Sequence, residues 1–166
     1  PMPPEWFGEK ASRIREAGSE YGASTGRPRR PGALDLFQLQ YAVEVNGIDA
    51  LCITKGDILD GMGDVEVCVG YTHNGRRLEH YPSDAQVLEQ CRPVFGKPSP
   101  GWNRTAGDKD WDCLDGNFRN YVRRIEDYLD VPVILVSTGQ ERDDYVIRDV
   151  DVPELKWLAE SIRPAA

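Results

Sequence analysis

Two short apolar runs, each followed at once by a polar loop, constrain the fold of this chain more than any other feature. Residues 50–54 (ALCIT) lead into residues 55–57 (KGD), and residues 131–136 (VPVILV) lead into residues 137–139 (STG). Continuous apolar runs of this length predict buried strands of the kind found in parallel sheets. Because ligands bind beyond the carboxyl ends of such strands, the two polar loops are candidate binding loops.

The remaining elements are predicted from apolar periodicity and turn signals. Asn74-Gly75 is typical of a hairpin turn, and the Pro-, Gly- and Asp-rich segment 97–112 is typical of a long surface loop. Helices are predicted at 6–16, 33–45, 118–129 and 155–162, a loop or one helical turn at 84–90, and further strands at 65–71, 77–81, 91–95 and 145–148. This pattern predicts an α/β fold with parallel strands flanked by helices and an antiparallel hairpin.

Length and charge limit the class of protein. The 166 residues suit a single domain, and 20 Lys and Arg against 28 Asp and Glu give a net charge of -8. This acidic balance argues against nonspecific binding of nucleic acid as the main function. The sequence has no apolar run long enough to span a membrane and no signal-peptide pattern. The start at Pro1, without an initiator Met, indicates a segment of a longer protein.

Cysteine and histidine usage predicts the compartment and argues against a metal site. The 4 cysteines are far apart and form no CxxC pair, which favours free thiols in a reducing, cytoplasmic environment. With only 2 histidines in the chain, a histidine-based metal site is not expected. We therefore expect no metal ligand in this segment.

A cluster of arginines stands out in this acidic chain. Residues 22–30 read GASTGRPRR. A guanidinium group matches a carboxylate or phosphate bidentately, Gly26 allows close approach of the backbone, and Pro28 stiffens the loop. The residues alone leave three interpretations open: an anion-binding loop, a basic patch for nucleic acid, and a solvated loop.

The two polar loops suit recognition of guanine. One carboxylate, that of Asp57, can accept from the adjacent N1–H and N2–H donors of guanine, and adenine lacks this donor pair. The stem of Lys55 can lie across the base, and backbone N–H groups of residues 137–139 can face O6. Taken singly, Lys55 and Asp57 suit a surface charge pair and residues 137–139 an ordinary turn. Their occurrence at adjacent strand ends favours the guanine site.

With these stretches identified, the chain resembles the adenylosuccinate synthetases. The matching stretches are EYGASTGRPRRPG at 20–32, YAVEVNG at 41–47, TKGDILDG at 54–61, VCVGY at 67–71, PGW at 100–102, YVRRIEDYLDVPV at 121–133 and STGQERD at 137–143. The resemblance covers almost the whole chain but only the C-terminal part of the family's polypeptide. It implies the C-terminal part of a P-loop-like synthetase fold.

Within one domain spanning residues 1–166, the resemblance implies four parts. They are a lead-in segment with a helix at 1–19, an aspartate-binding loop at 20–32, an α/β guanine-binding part at 33–150 and a C-terminal helix at 151–166. The family reaction follows: GTP phosphorylates O6 of IMP in the presence of Mg²⁺, and L-aspartate displaces the phosphate to give adenylosuccinate, on the route to AMP. The expected partners are the N-terminal part of the same enzyme and a second copy in a homodimer, with no nucleic acid and no membrane.

Family roles transfer to the matching positions. The aspartate loop comprises Ala23, Ser24, Thr25, Gly26, Arg27, Pro28 and Arg29, with Arg27 also reaching IMP and Arg29 reaching GTP. The GTP base is assigned to Lys55, Gly56, Asp57, Ser137, Thr138 and Gly139. The family usually has Leu at the position of Gly56 and Pro at that of Gln140, and we expect Gly56 to loosen the base loop.

No catalytic residue is expected in this segment. The family's phosphate loop, its catalytic aspartate and histidine and most of the IMP pocket match nothing in the sequence, and the Mg²⁺ ligands are expected outside it. The isolated segment is therefore expected to be inactive. Two alternatives remain: a region of a paralogous synthetase that acts on a modified purine nucleotide, and a catalytically silent nucleotide-binding or interaction module. The sequence upstream of Pro1 would discriminate between them.

Overall fold

The computed structural model describes residues 2–148 and residue 161, and within it the chain divides into two compact units. The first consists of Pro1–Val45 and Asp64–Ser99, and the second of Asn46–Gly63 and Pro100–Ala166. The arginine loop (residues 22–30) therefore belongs to the first unit. The two candidate base loops, the first at residues 55–57 and the second at residues 137–139, belong to the second unit.

Helices and strands alternate along the chain. In order they are α1 (Gly8–Ala17), β1 (Leu34–Asp35), α2 (Leu36–Asn46), β2 (Leu51–Ile53), β3 (Val67–His73), β4 (Arg76–Arg77), α3 (Ala85–Gln90), β5 (Arg92–Phe95), α4 (Gly116–Leu129), β6 (Val133–Ser137) and β7 (Tyr145–Ile147), with 3-10 helices at Gly56–Leu59 and Trp111–Cys113. The predicted helix 155–162 lies outside the described residues, apart from residue 161.

The sheet of the first unit is built around β3. This strand pairs parallel with β1, antiparallel with β4 and antiparallel with β5. The β3–β4 hairpin turns at Asn74 (φ 51°) and Gly75 (φ 75°), which are the two positive angles that a tight two-residue hairpin turn requires. Behind the sheet, Phe37, Tyr71 and Leu88 form a buried cluster, so helices α2 and α3 supply part of this core.

The helix predicted for residues 33–45 begins three residues late. Leu34 and Asp35 are extended because they pair with Val67 and Cys68 of β3. The Asp35 carboxylate accepts a hydrogen bond from the backbone N–H of Gln38 (3.1 Å). Asp35 therefore caps the helix, which begins at the next residue, Leu36.

The spacing of Leu34, Phe37, Tyr41 and Val45 predicts one buried apolar stripe along this helix. That prediction is wrong, since Val45 is 63% exposed and only the first turn of α2 is buried.

The sheet of the second unit contains the predicted parallel pair. Strand β2 pairs parallel with β6, which pairs antiparallel with β7. Strand β6 is largely buried, as predicted, whereas Cys52 at the centre of β2 is exposed. The prediction of a buried strand at residues 50–54 is therefore correct in its position and wrong in its burial. The α/β class, with a parallel pair and an antiparallel hairpin, is confirmed.

Helix α4 packs the second unit. It begins at Asp115, whose carboxylate accepts from the N–H of Asn117 (2.8 Å), and its apolar face is buried. Phe118 and Tyr121 each lie 5.1 Å, centroid to centroid, from the ring of Trp102. Trp102 and Thr105 are buried, so the predicted surface loop 97–112 contributes to the core.

Candidate functional site

The pairing of β2 with β6 brings the two base loops together. Both strands run parallel, so residues 55–57 and 137–139 leave the sheet at the same edge. The backbone N–H of Lys55 donates to Oγ of Ser137 (3.2 Å), which links the loops directly. Lys55 itself has a left-handed backbone (φ 60°) and turns the chain into the 3-10 helix Gly56–Leu59. The sequence prediction that these six residues share one edge is confirmed by this geometry.

Asp57 has an unsatisfied carboxylate oxygen. Its Oδ1 atom is buried and accepts no hydrogen bond from any residue that the structure describes. Burial is the largest cause and raises the pKa of this carboxyl, whereas a hydrogen bond from the backbone N–H of Asp57 itself lowers it. The charges of Asp60 and Asp144 raise this pKa further, and the charge of Lys55 lowers it. A buried acceptor without a donor costs free energy, and an incoming ligand with N–H groups would remove that cost.

Gly56 is tightly packed, so its lack of a side chain does not loosen the loop as expected from the sequence. The residue is buried. A Cβ atom at this position would lie 2.7 Å from Cζ of Phe118 and 2.9 Å from its Cε2. The ring of Phe118, itself buried, occupies the space that a larger residue at position 56 would need. The base loop is therefore closely seated on helix α4.

Thr138 fixes the second base loop from inside. Its side chain is fully buried, and its hydroxyl donates to the backbone oxygen of Asp108 (2.9 Å). Its backbone N–H donates to the oxygen of Asp144 (2.8 Å), and its own carbonyl accepts from the N–H of Gly107 (2.9 Å). The N–H, carbonyl and hydroxyl groups of Thr138 thus all form hydrogen bonds within the protein. The family resemblance predicts that Thr138 contacts GTP, but these bonds give it the role of holding the loop in place.

The arginine loop is a closed turn of the first unit. The N–H of Gly26 donates to the oxygen of Gly22 (2.8 Å), and the N–H of Gly22 donates to the oxygen of Arg27 (2.9 Å). Gly26 has a φ of 64°, which favours glycine there. Residues 23–30 are all exposed, so the loop presents its side chains to solvent.

The three arginines differ in their contacts. Arg29 donates to the carboxylate of Glu20 (2.8 Å), and Arg30 donates through two nitrogens to the carboxylate of Glu5. The Arg30 guanidinium lowers the pKa of Glu5, mainly through a side-chain hydrogen bond. The guanidinium of Arg27 contacts no acidic side chain in the part of the chain that the structure describes. Arg27 is therefore the arginine that is open to an external anion.

Metal sites, membrane-spanning helices and disulfides are not found among the residues that the structure describes. No group of three or more His, Cys, Asp or Glu side chains there could hold a metal ion. None of the helices in that part is long and apolar enough to cross a membrane. All four cysteines are free thiols.

Sequence reasoning missed two carboxylates that shape the site. Asp60 accepts hydrogen bonds from Thr105 and Ala106, and Asp144 accepts from Lys109 (2.7 Å) and from the N–H of Glu141 (3.0 Å). Asp60 lies within the matching stretch 54–61, three residues after Asp57, and Asp144 directly follows the matching stretch 137–143. Thr105, Ala106 and Lys109 are at least 35 residues away from these carboxylates in the sequence, so local patterns could not reveal these contacts.

Comparison with known proteins gives a consistent result. A family model described as adenylosuccinate synthetase matches residues 1–146. The adenylosuccinate synthetase of Stenotrophomonas maltophilia is 47% identical over 148 residues, which are 89% of this chain and 34% of that protein. The Aquifex aeolicus protein of the same name is 43% identical over 164 residues, covering 98% of this chain and 35% of that protein.

A solved structure shows the same likeness. The fully ligated adenylosuccinate synthetase from Plasmodium falciparum superposes with a TM-score of 0.85 at 32% identity, over 90% of this chain and 36% of that one. The chain thus spans about a third of the length of the relatives that it matches.

Proposed function

The chain belongs to the adenylosuccinate synthetase family, and from this premise we propose that it forms the guanine- and aspartate-binding region of a GTP-dependent IMP–aspartate ligase. In the complete enzyme, GTP phosphorylates O6 of IMP and the amino group of L-aspartate displaces the phosphate. The product is adenylosuccinate, an intermediate in AMP synthesis. The complete protein would act as a homodimer in the cytoplasm, with the N-terminal part of the same enzyme supplying the catalytic residues.

The observation that carries this proposal is the unsatisfied Oδ1 of Asp57 beside the second base loop. Guanine offers two adjacent N–H donors, and a carboxylate held at this edge accepts both. Adenine presents an N1 acceptor in place of the N1–H donor, so the Asp57 oxygen would stay unpaired with ATP. Residues Lys55, Gly56, Ser137 and Gly139 complete the proposed base site, and Thr138 supports it.

The aspartate site rests on the arginine loop. Arg27 is exposed, and its guanidinium is open to a carboxylate. Arg29 already pairs with Glu20, but its side chain is 59% exposed, and such surface pairs contribute about 0–1 kcal/mol. A phosphate group of GTP can therefore compete for Arg29 at little cost.

Mg²⁺ belongs to the proposed reaction, and we expect its ligands outside this segment. When bound elsewhere in the enzyme, it would neutralise developing charge on the phosphates. The contribution of this chain is to bind and orient the base of GTP and the carboxylates of L-aspartate.

The test is the reaction itself. The full-length protein that carries this chain should form adenylosuccinate only when IMP, L-aspartate, GTP and Mg²⁺ are all present, and ATP should not replace GTP. Formation of product from a different purine nucleotide, with none from IMP, would favour the paralogous synthetase. Binding of GTP without any product would favour the silent module. Both outcomes contradict the proposal.

A further inference from the structure

Asp60 connects the first base loop to residues of the second unit that are far away in the sequence but in direct contact with it. It follows the 3-10 helix Gly56–Leu59, and its N–H donates to the backbone oxygen of Asp57 (3.0 Å). One oxygen of its carboxylate accepts from the N–H of Thr105 (2.8 Å) and of Ala106 (3.2 Å), and the other accepts from the Thr105 hydroxyl (2.8 Å). Three donors on two consecutive residues thus hold one carboxylate.

The segment 105–108 continues from Asp60 to the second base loop. The N–H of Gly107 donates to the oxygen of Thr138, and the hydroxyl of Thr138 donates to the oxygen of Asp108, both at 2.9 Å. Thr105 and Thr138 are both fully buried, which limits the competition of water for the bonds that their side chains make. The segment therefore ties the two base loops together at a second place, in addition to the direct bond from Lys55 to Ser137.

We propose that Asp60 is a positioning residue for guanine recognition, which holds the Asp57 carboxylate at the base site through segment 105–108. Asp60 does not touch the base in this scheme. It fixes the end of the short helix that begins at Gly56, and segment 105–108 transmits the position of the second loop to the first. This inference rests on the proposed function, because it assigns a role at the proposed base site.

Two substitutions separate a positioning role of Asp60 from a purely electrostatic one. The charge of Asp60 raises the pKa of Asp57, so removing this charge would make Asp57 easier to ionise. An asparagine at position 60 loses the charge but keeps the bonds, because its amide oxygen accepts from the two N–H groups and its NH₂ donates to the Thr105 hydroxyl. An alanine loses both.

The experiment measures the affinities of the full-length protein for GDP and IDP by calorimetry, since IDP differs from GDP only by lacking the N2 amino group. In Asp60→Ala the preference for GDP over IDP should fall about tenfold, as expected when an acceptor is no longer aligned with its donors. Asp60→Asn should stay within about threefold of the unsubstituted protein. The exposed Asp112→Asn in the same unit should leave the preference unchanged.

The outcomes separate this inference from the proposed function. If Asp57→Ala leaves the GDP preference unchanged, the proposed base site is wrong. If Asp57→Ala removes the preference while Asp60→Ala keeps it, the positioning role is wrong. It is also wrong if Asp60→Asn loses as much as Asp60→Ala, since that result indicates an effect of charge.

A second variant decides the matter should Asp60→Ala not fold. Thr105→Val keeps the shape of the buried side chain and both backbone donors but removes the hydroxyl donor. The GDP preference should fall about threefold, with the affinity for IDP nearly constant. A loss of thermal stability without any change in the preference would overturn the inference.

Discussion

At the scale of single residues, we expect Asp57 to decide which base the full-length protein accepts. The substitution Asp57→Asn keeps the shape of the side chain but replaces one acceptor by an NH₂ donor, which would face the amino group of guanine. Xanthine has a carbonyl oxygen at that position, so the same donor would find an acceptor. We expect kcat/KM to fall for GTP and to rise for XTP, changing their ratio about tenfold or more in the full-length protein.

The control for this exchange is Asp127→Asn, an exposed carboxylate on helix α4 of the same unit. It should leave both kcat/KM values unchanged. An unaltered GTP:XTP ratio in Asp57→Asn would show that Asp57 does not contact the base, and the guanine site would then lie elsewhere. The close packing of Gly56 against Phe118 strengthens this test, because the loop that carries Asp57 has little freedom to move away.

Arg27 makes the corresponding prediction for the aspartate loop. In the full-length protein, Arg27→Leu removes the guanidinium that is open to an external carboxylate. Truncating one partner of a desolvated charge pair costs about 2–5 kcal/mol, so kcat/KM for L-aspartate should fall by orders of magnitude. The Kd for GTP should hardly change. Arg13→Leu, an exposed arginine on α1, is the matched control, and an unchanged kcat/KM in Arg27→Leu would contradict the assignment.

At the scale of elements, the base loop depends on helix α4 because Gly56 and Phe118 share one buried space. We expect Gly56→Ala to lower the free energy of unfolding by about 1–3 kcal/mol through overpacking. Phe118→Leu should lower it as well, by leaving space. In the double variant the smaller side chain makes room for the new methyl group, so the two losses should not add.

Urea denaturation of the three variants measures this coupling. A double variant that loses as much stability as the sum of both single variants would show that the two positions are independent. The GDP affinity of Gly56→Ala adds a functional measurement. It should fall more than that of a surface variant such as Asp127→Asn, because displacement of Gly56 also moves Asp57.

At the scale of the whole molecule, the chain covers about a third of its relatives' length. The 166-residue chain, expressed alone, should show no synthetase activity, because none of its residues matches the family's phosphate-transfer machinery. The measurement is GTP- and aspartate-dependent formation of adenylosuccinate by the purified chain. Detection of that product would overturn the prediction. The full-length protein is assayed alongside the isolated chain, because its activity shows that the assay works.

Local sequence determined the elements that depend on interactions between residues close to one another in the chain. Helix α4 follows from its apolar spacing and from Asp115 at its start, and the hairpin follows from Asn74-Gly75. Strand β6 follows from an apolar run, and the edge carrying both base loops follows from two such runs. The family was also readable from the sequence, because its motifs are contiguous stretches.

Tertiary structure decided everything that depends on contacts between distant residues. The strand Leu34–Asp35 exists because β3 pairs with it, although the local sequence favours a helix. Gly56 is rigidly packed because Phe118, far along the chain, fills the space beside it. Asp60 finds its donors on Thr105 and Ala106, and Arg30 is occupied by Glu5 while Arg27 is not. Side-chain spacing encodes a helix or strand, but only the folded chain determines which polar groups are satisfied and which remain for a ligand.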